Sequence, residues 1–254
     1  MILATTRKEL MSYLFSPVAY IIAVILYLWR GAEVYRLVYF AADAHYDTRT
    51  FLSYYIIYGG CTYAFCVLVP PILTMRCFAE ERRTGSLEVL MTAPVRDAEI
   101  VLGKWLAALV FYGLLWLPTL VILQVLASGP FLDQSFHLGT VVSGYLGLAL
   151  LGSALLAFGV FTSSLTDNVL LASMLGIIFN LAVMTTGMVQ PYLRDWLGDS
   201  YLLNVFIEQT SVFEHLRDWF GRGQVDSSKV VFYLAATALF LFLTVRSLET
   251  RKWR

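Results

Sequence analysis

The residues of this chain with the means to do chemistry are crowded into one stretch, "RCFAEERRTGSLEVLMTAPV", Arg76 to Val95. It sets Glu80 beside Glu81 and Arg82 beside Arg83, then continues through Gly85 and Glu88 to Pro94. Paired glutamates raise the question of hydrolysis, but nothing else in the sequence completes such a site. There is no H-E-x-x-H, and the histidines, His45, His137 and His215, are scattered through polar connections and read as solvated surface residues. Cys61, Cys66 and Cys77 have neither C-x-x-C spacing nor paired histidines, which argues against a zinc site and against a disulfide framework. No G-x-x-x-x-G-K-[ST] occurs, so the chain has no P-loop with which to cradle ATP. The expectation is a chain with no catalytic residue, no metal and no cofactor of its own.

The elements that must position this charged stretch are apolar. The chain is 59% hydrophobic and only 14% charged, where soluble domains carry about 25% charged residues. That much apolar surface does not fit in one water-exposed globule. Net charge is zero, so there is no basic footprint for nucleic acid. A membrane span needs about 20 apolar residues. Six runs meet that length, at about 17–39, 54–75, 101–126, 140–162, 168–189 and 230–248. The predicted fold is an all-α integral membrane protein of six transmembrane helices, a single domain over 1–254. Arg7 and Lys8 precede the first run, as in a signal peptide, but no small-residue cleavage pattern follows, so this span is expected to be retained.

Positive charge orients such a chain. Arg7 and Lys8, then Arg76, Arg82, Arg83, Arg96 and Lys104, then Arg246, Arg251, Lys252 and Arg254 fall on one side of an alternating arrangement. Both termini and the charged stretch are therefore predicted to be cytoplasmic. The remaining connections are poorer in Lys and Arg. Inside the spans, charge is scarce. Arg30 and Glu33 are three apart on one helix face and read as an interfacial ion pair. Thr62, Gln124, Ser143, Asn180, Thr185 and Thr186 are the polar candidates for a substrate path, and helix–helix hydrogen bonds explain them equally well. Two further segments read as amphipathic helices at the membrane surface. One is N-terminal, with Leu10, Met11, Leu14 and Phe15 as its stripe. The other carries Phe206, Ile207, Phe213, Leu216, Trp219 and Phe220 and stops at Gly221 and Gly223.

Within the charged stretch, Ser86 is placed to cap a helix whose first turn holds Glu88. Leu87, Leu90 and Met91 share a face, and Pro94 ends the element. Asp97 then caps the helix leading into the third span. A short helix is thus predicted between spans two and three, tied to both, so that a push on it reaches both.

Two family resemblances bear on this stretch. Glu80-Glu81 is similar to the paired glutamates of CAAX-type intramembrane proteases, but the arginine those enzymes need four residues later is Gly85 here, and no later span holds a histidine. "EERRTGSLEVLMTAPV" closely resembles the loop between spans two and three of ABC-2 type transporter permeases, E-E-R-x-x-G-[ST]-L-E-x-L-x-x-x-P. In that family the segment is the coupling helix, which docks in a separate ATP-binding subunit. The resemblance implies that role for Glu80, Glu81, Arg83, Gly85, Leu87, Glu88, Leu90 and Pro94. "LGSALLAFGVFTSSLTDN" resembles the family's fourth span and the turn after it, with Val169 in place of a glutamine. "SVFEHLRDWFGRGQVDSSK" is similar to the tail of the gliding-motility GldF branch, with Leu216 where that branch has phenylalanine.

What the resemblance implies is a permease subunit of the bacterial inner membrane, without enzymatic activity, beside a second permease chain, normally an identical copy. ATP and Mg would be bound by an ATP-binding partner subunit. The GldF-like branch adds a membrane-anchored accessory protein with a large outer domain. The alternatives are export of a lipid, drug or polysaccharide, or a non-transporting scaffold that drives an outer partner.

Overall fold

The computed structural model describes residues 2–43, 48–86, 96–127, 138–197 and 209–252, and all regular structure among them is helical. Among the described residues six helical segments are long and apolar enough to cross a membrane: Pro17–Tyr39, Phe51–Arg83, Asp97–Leu126, Leu138–Leu165, Val169–Val189 and Ser227–Thr250. The chain is an all-helical bundle, as its composition requires. Residues 87–95 lie outside the described residues, so the expected helix from Ser86 to Ala93 is described only at Ser86.

Helix α1 (Ile2–Leu14) precedes the first span and lies against the start of α6 (Asp97–Ala127). Thr6 Oγ1 donates to the Gly103 carbonyl at 3.2 Å. A Cβ on Gly103 would sit 2.8 Å from the Thr5 side chain, so glycine permits the approach. The expected stripe splits. Leu10 packs onto the core, whereas Met11, Leu14 and Phe15 are exposed. Pro17 opens α2 (Pro17–Asp43), where its fixed φ suits a first helical position. Asp97 stands at the first helical position of α6 rather than before it.

The second span is not one helix. It runs as α3 (Thr48–Ser53), a π-helical turn (Tyr54–Tyr58), a break at Gly59, then α4 (Gly60–Thr74) and the short α5 (Ala79–Arg83). Gly59 has ψ 134°, which ends the helical run. Pro70 and Pro71 lie inside α4, and the Thr74 hydroxyl donates to the Pro70 carbonyl at 2.8 Å.

Helix α7 (Leu138–Leu165) is the centre of the bundle and is buried on most of its circumference. Its sequence is apolar all round and rich in glycine and serine, which is what a helix enclosed by other helices needs. It contacts α4, α6, α8 (Val169–Leu197) and α10 (Ser227–Lys252). The turn between α7 and α8 is short and polar, as expected. Asn168 Oδ1 accepts from the Leu170 amide at 3.0 Å and caps α8.

The segment expected to lie on the membrane surface is instead inserted between helices. Its described part forms α9 (Val212–Asp218) and a 3-10 turn (Phe220–Arg222). Leu216 and Phe220 are fully buried, and among the described members of the apolar set only Trp219 keeps much exposure. Gly147 of α7 makes the room: a Cβ there would stand 2.7 Å from the Phe220 ring. The turn stops at Gly223, whose φ of 82° is left-handed, and not at Gly221, which is buried within it. His215 is also buried, edge-on to Phe232 and Tyr233, which corrects its reading as a solvated residue. His45 and His137, with Phe206 and Ile207, lie outside the described residues.

Candidate functional site

One end of the bundle, called the foot here, gathers α1, α5, the start of α6 and the ends of α7 and α10. Phe78, Ile100, Val101, Val160 and Leu248 form its small apolar core. Above this core sits a charge cluster. The Lys104 ammonium is almost wholly buried and donates to Glu81 Oε1 at 2.7 Å and to Glu9 Oε1 at 2.8 Å. Three elements, α1, α5 and α6, meet on this one cation. Its burial is sustained by the two carboxylates, since an unpaired buried ammonium is costly. Tyr13 packs beside the cluster and donates to the Leu73 carbonyl at 3.1 Å. Burial, then the neighbouring Cys77 thiol, hold its phenol well above the usual range, so it remains a neutral donor.

The turn into α5 is held from α7. Ser163 Oγ accepts from the amides of Phe78 and Ala79 at 3.0 and 3.1 Å and donates to the Met75 carbonyl. The Arg82 guanidinium donates to the Ser164 carbonyl at 2.8 Å. Arg82, which directly follows Glu81, is thus anchored to α7, while Arg83, the arginine named with the coupling positions, is exposed. Glu80 pairs with Arg76 at 3.8 Å across an exposed surface. Gly85 has a φ of 72°, a left-handed conformation that ends α5 and redirects the chain into residues 87–95. Leu87, Glu88, Leu90 and Pro94 lie outside the described residues.

A second cluster sits at the break in the second span. Glu33 Oε1 accepts from the Cys61 amide at 2.7 Å, and its other oxygen accepts from Arg30 at 3.2 Å. Arg30 also donates to the Tyr55 carbonyl at 2.6 Å and to Thr62 Oγ1 at 2.7 Å. The carboxylate thus satisfies an amide at the start of α4, while the guanidinium takes a carbonyl of the π turn. Each charge meets the sign of helix end that favours it. The pair is buried at 1% and 5% exposure, so it is a core element rather than a surface pair.

The six polar candidates are not gathered into one path. Thr62 belongs to the Arg30 cluster. Ser143 donates to the Phe220 carbonyl at 2.7 Å and holds the inserted turn. Asn180 donates from α8 to the Val67 carbonyl at 3.3 Å. Gln124 is exposed, and Thr185 and Thr186 donate to carbonyls of their own helix. Sequence reasoning missed Lys104 as a site residue because it counted it as one more positive flank. The signal was its place inside an apolar helix, three residues past the start of the predicted span.

The family model described as ABC-2 family transporter protein matches residues 6–253. The chain belongs to this family. No curated protein matches it in sequence. As an ABC-2 chain it is a membrane-embedded permease subunit of an ABC transporter, and the family works with an ATP-binding partner subunit. The foot of this ABC-2 permease is the region built around Lys104, and it leads straight into the stretch that the family resemblance singles out.

Proposed function

We propose that the foot, from Glu80 through residues 87–95, is where the ATP-binding subunit pushes on this permease. The observation that carries the reading is the Lys104 cluster. Glu81 lies at the edge of the charged stretch and is tied through one buried cation to α1 and to the third span. A displacement of the stretch is thereby delivered to three helices, not to a loop. Both termini are cytoplasmic in this reading, and ATP and Mg are bound by the partner. The tail favours the GldF-like branch, with two permease copies side by side and an accessory protein on the face opposite the foot, whether the work is export or mechanical. The inserted α9 turn supports that contact, being rigidly held at the end of the bundle away from the foot.

Replacing Leu87 and Leu90 together with Asp tests the reading. Charge placed in a partner's apolar cleft costs several kcal/mol, and about 1.4 kcal/mol is tenfold in an equilibrium constant. Recovery of the ATP-binding subunit with the purified permease is expected to fall about a hundredfold at matched expression. Unchanged recovery overturns the assignment.

A further inference from the structure

The serine pair that closes α7, Ser163-Ser164, lies in the stretch that resembles the family's fourth span and turn. Both side chains are wholly buried, at the elbow where α4 ends and α5 begins. A hydroxyl has one hydrogen to give and two lone pairs to offer. Ser163 spends all three on this elbow. It donates to the carbonyl of Met75, where α4 ends, and accepts from the amides of Phe78 and Ala79, where α5 begins. Helix ends leave such groups unpaired. Phe78 stands at the cap position of α5 and has no polar side chain to cap it. One hydroxyl from a distant helix therefore caps both sides of the elbow. Phe78 and Ala79 are wholly buried as well, so water has no access to take its place.

Helix α5 has five residues. A helix that short does not hold itself, so its direction comes from what it is tied to. Helix α7 supplies a tie near each end: Ser163 at the start, and the Ser164 carbonyl, which accepts from Arg82 at 2.8 Å. Gly159, one turn earlier on α7, lets the helices close up, since a Cβ there would run into the Thr74 hydroxyl at the end of α4. Helix α7 is continuous over 28 residues, whereas the second span is interrupted at Gly59. The direction in which Gly85 releases the coupling stretch is thus set from the centre of the bundle.

We propose that Ser163 is a positioning residue for the ATP-binding subunit. It fixes the elbow from α7, acts through the backbone of α5, and so sets the angle at which the coupling stretch is presented to the partner. The proposal rests on the coupling reading and adds α7 to the three helices that meet on Lys104.

The test compares Ser163→Ala with Ser143→Ala in the full chain purified with its ATP-binding subunit. Ser143 is a buried serine of the same helix that holds the α9 turn at the opposite end, so it controls for lost stability alone. Ser163→Ala leaves the Phe78 and Ala79 amides and the Met75 carbonyl unpaired in the core. Recovery of the ATP-binding subunit, at matched amounts of folded permease, is expected to fall about tenfold. Ser143→Ala is expected to leave recovery unchanged. Hydrogen exchange on the permease alone gives the positional readout. The amides of Phe78, Ala79 and the rest of α5 are expected to exchange about tenfold faster in Ser163→Ala, with the α9 turn unaffected. Should Ser163→Ala not fold, Ser163→Cys decides: it keeps the shape, offers a weaker acceptor, and is expected to show both effects in smaller measure. Native recovery in the deciding Ser163 variant, an equal loss in Ser143→Ala, or elbow amides that keep their protection would each overturn the positioning role while the coupling reading stands on Leu87→Asp with Leu90→Asp. Unchanged recovery in that double variant removes the coupling reading and this inference with it.

Discussion

The second span carries a cation–carboxylate cluster near each end, and the two are built for different purposes. At the break, Arg30 and Glu33 come from the same turn of α2 and spend their hydrogen bonds on backbone and on Thr62. At the foot, Lys104 draws its carboxylates from α1 and α5, and these keep 18% and 22% exposure beside an open cleft. In the first cluster only the Arg30 Nε lacks a partner, and it lies in the core. In the second the unpartnered atom is a carboxylate oxygen of a residue that lines the cleft. A closed cluster repairs the backbone where a helix is interrupted, since freed amides and carbonyls inside a bilayer must be satisfied by the protein. An open one ties separate elements together while its carboxylates stay partly in water.

If that distinction is right, the largest loss of stability comes from the closed cluster. Arg30→Ala strands Glu33 and the Tyr55 carbonyl in the core and is expected to cost about 3–5 kcal/mol. It would show as a chain that fails to recover as a monodisperse folded species in detergent. Glu33→Gln keeps an acceptor for the Cys61 amide and is expected to be the milder change. Equal tolerance of both would mean that the break does not depend on the pair.

Lys104→Ala sharpens the contrast. Glu9 and Glu81 lose their cation, but both can turn toward water, so the cost is expected to lie between surface and fully buried pairs, at about 2 kcal/mol. The informative readout is position. Hydrogen exchange is expected to rise in α1 and α5 while the amides around Cys61 stay protected. Loss of protection at both ends would show that the clusters act as one.

The smallest effect belongs to Arg76→Ala. Its pair with Glu80 is long and exposed, and such pairs contribute about 0–1 kcal/mol. No measurable change in thermal unfolding is expected, and a clear loss would mean that the exposed rim of the foot contributes to folding.

Much of this architecture is legible along the chain. Run length against bilayer thickness is a local property, and it suffices for six helices and for the position of the charged stretch between two of them. Asn168 as a turn residue, Pro17 as a helix start and the Arg30–Glu33 spacing are equally local. The reading failed where a residue's environment is made by helices distant in sequence. The α9 turn has the alternating composition of a surface helix, yet Gly147 of α7 leaves a hollow that takes Phe220 and Leu216, so burial wins. His215 is taken out of water beside Phe232 and Tyr233 of α10.

By itself, then, the sequence determined the class of the protein, its helices, and through its motif the family to which it belongs, because hydrophobic length and motif spacing need no neighbours. The tertiary structure alone decided what the polar residues do. Lys104 finds its partners 95 and 23 residues away, and Arg30 reaches backbone 25 residues on. Whether a charge is flank or clamp depends on which groups desolvate it and which hydrogen bonds replace the lost water, and those groups come together only when the helices pack.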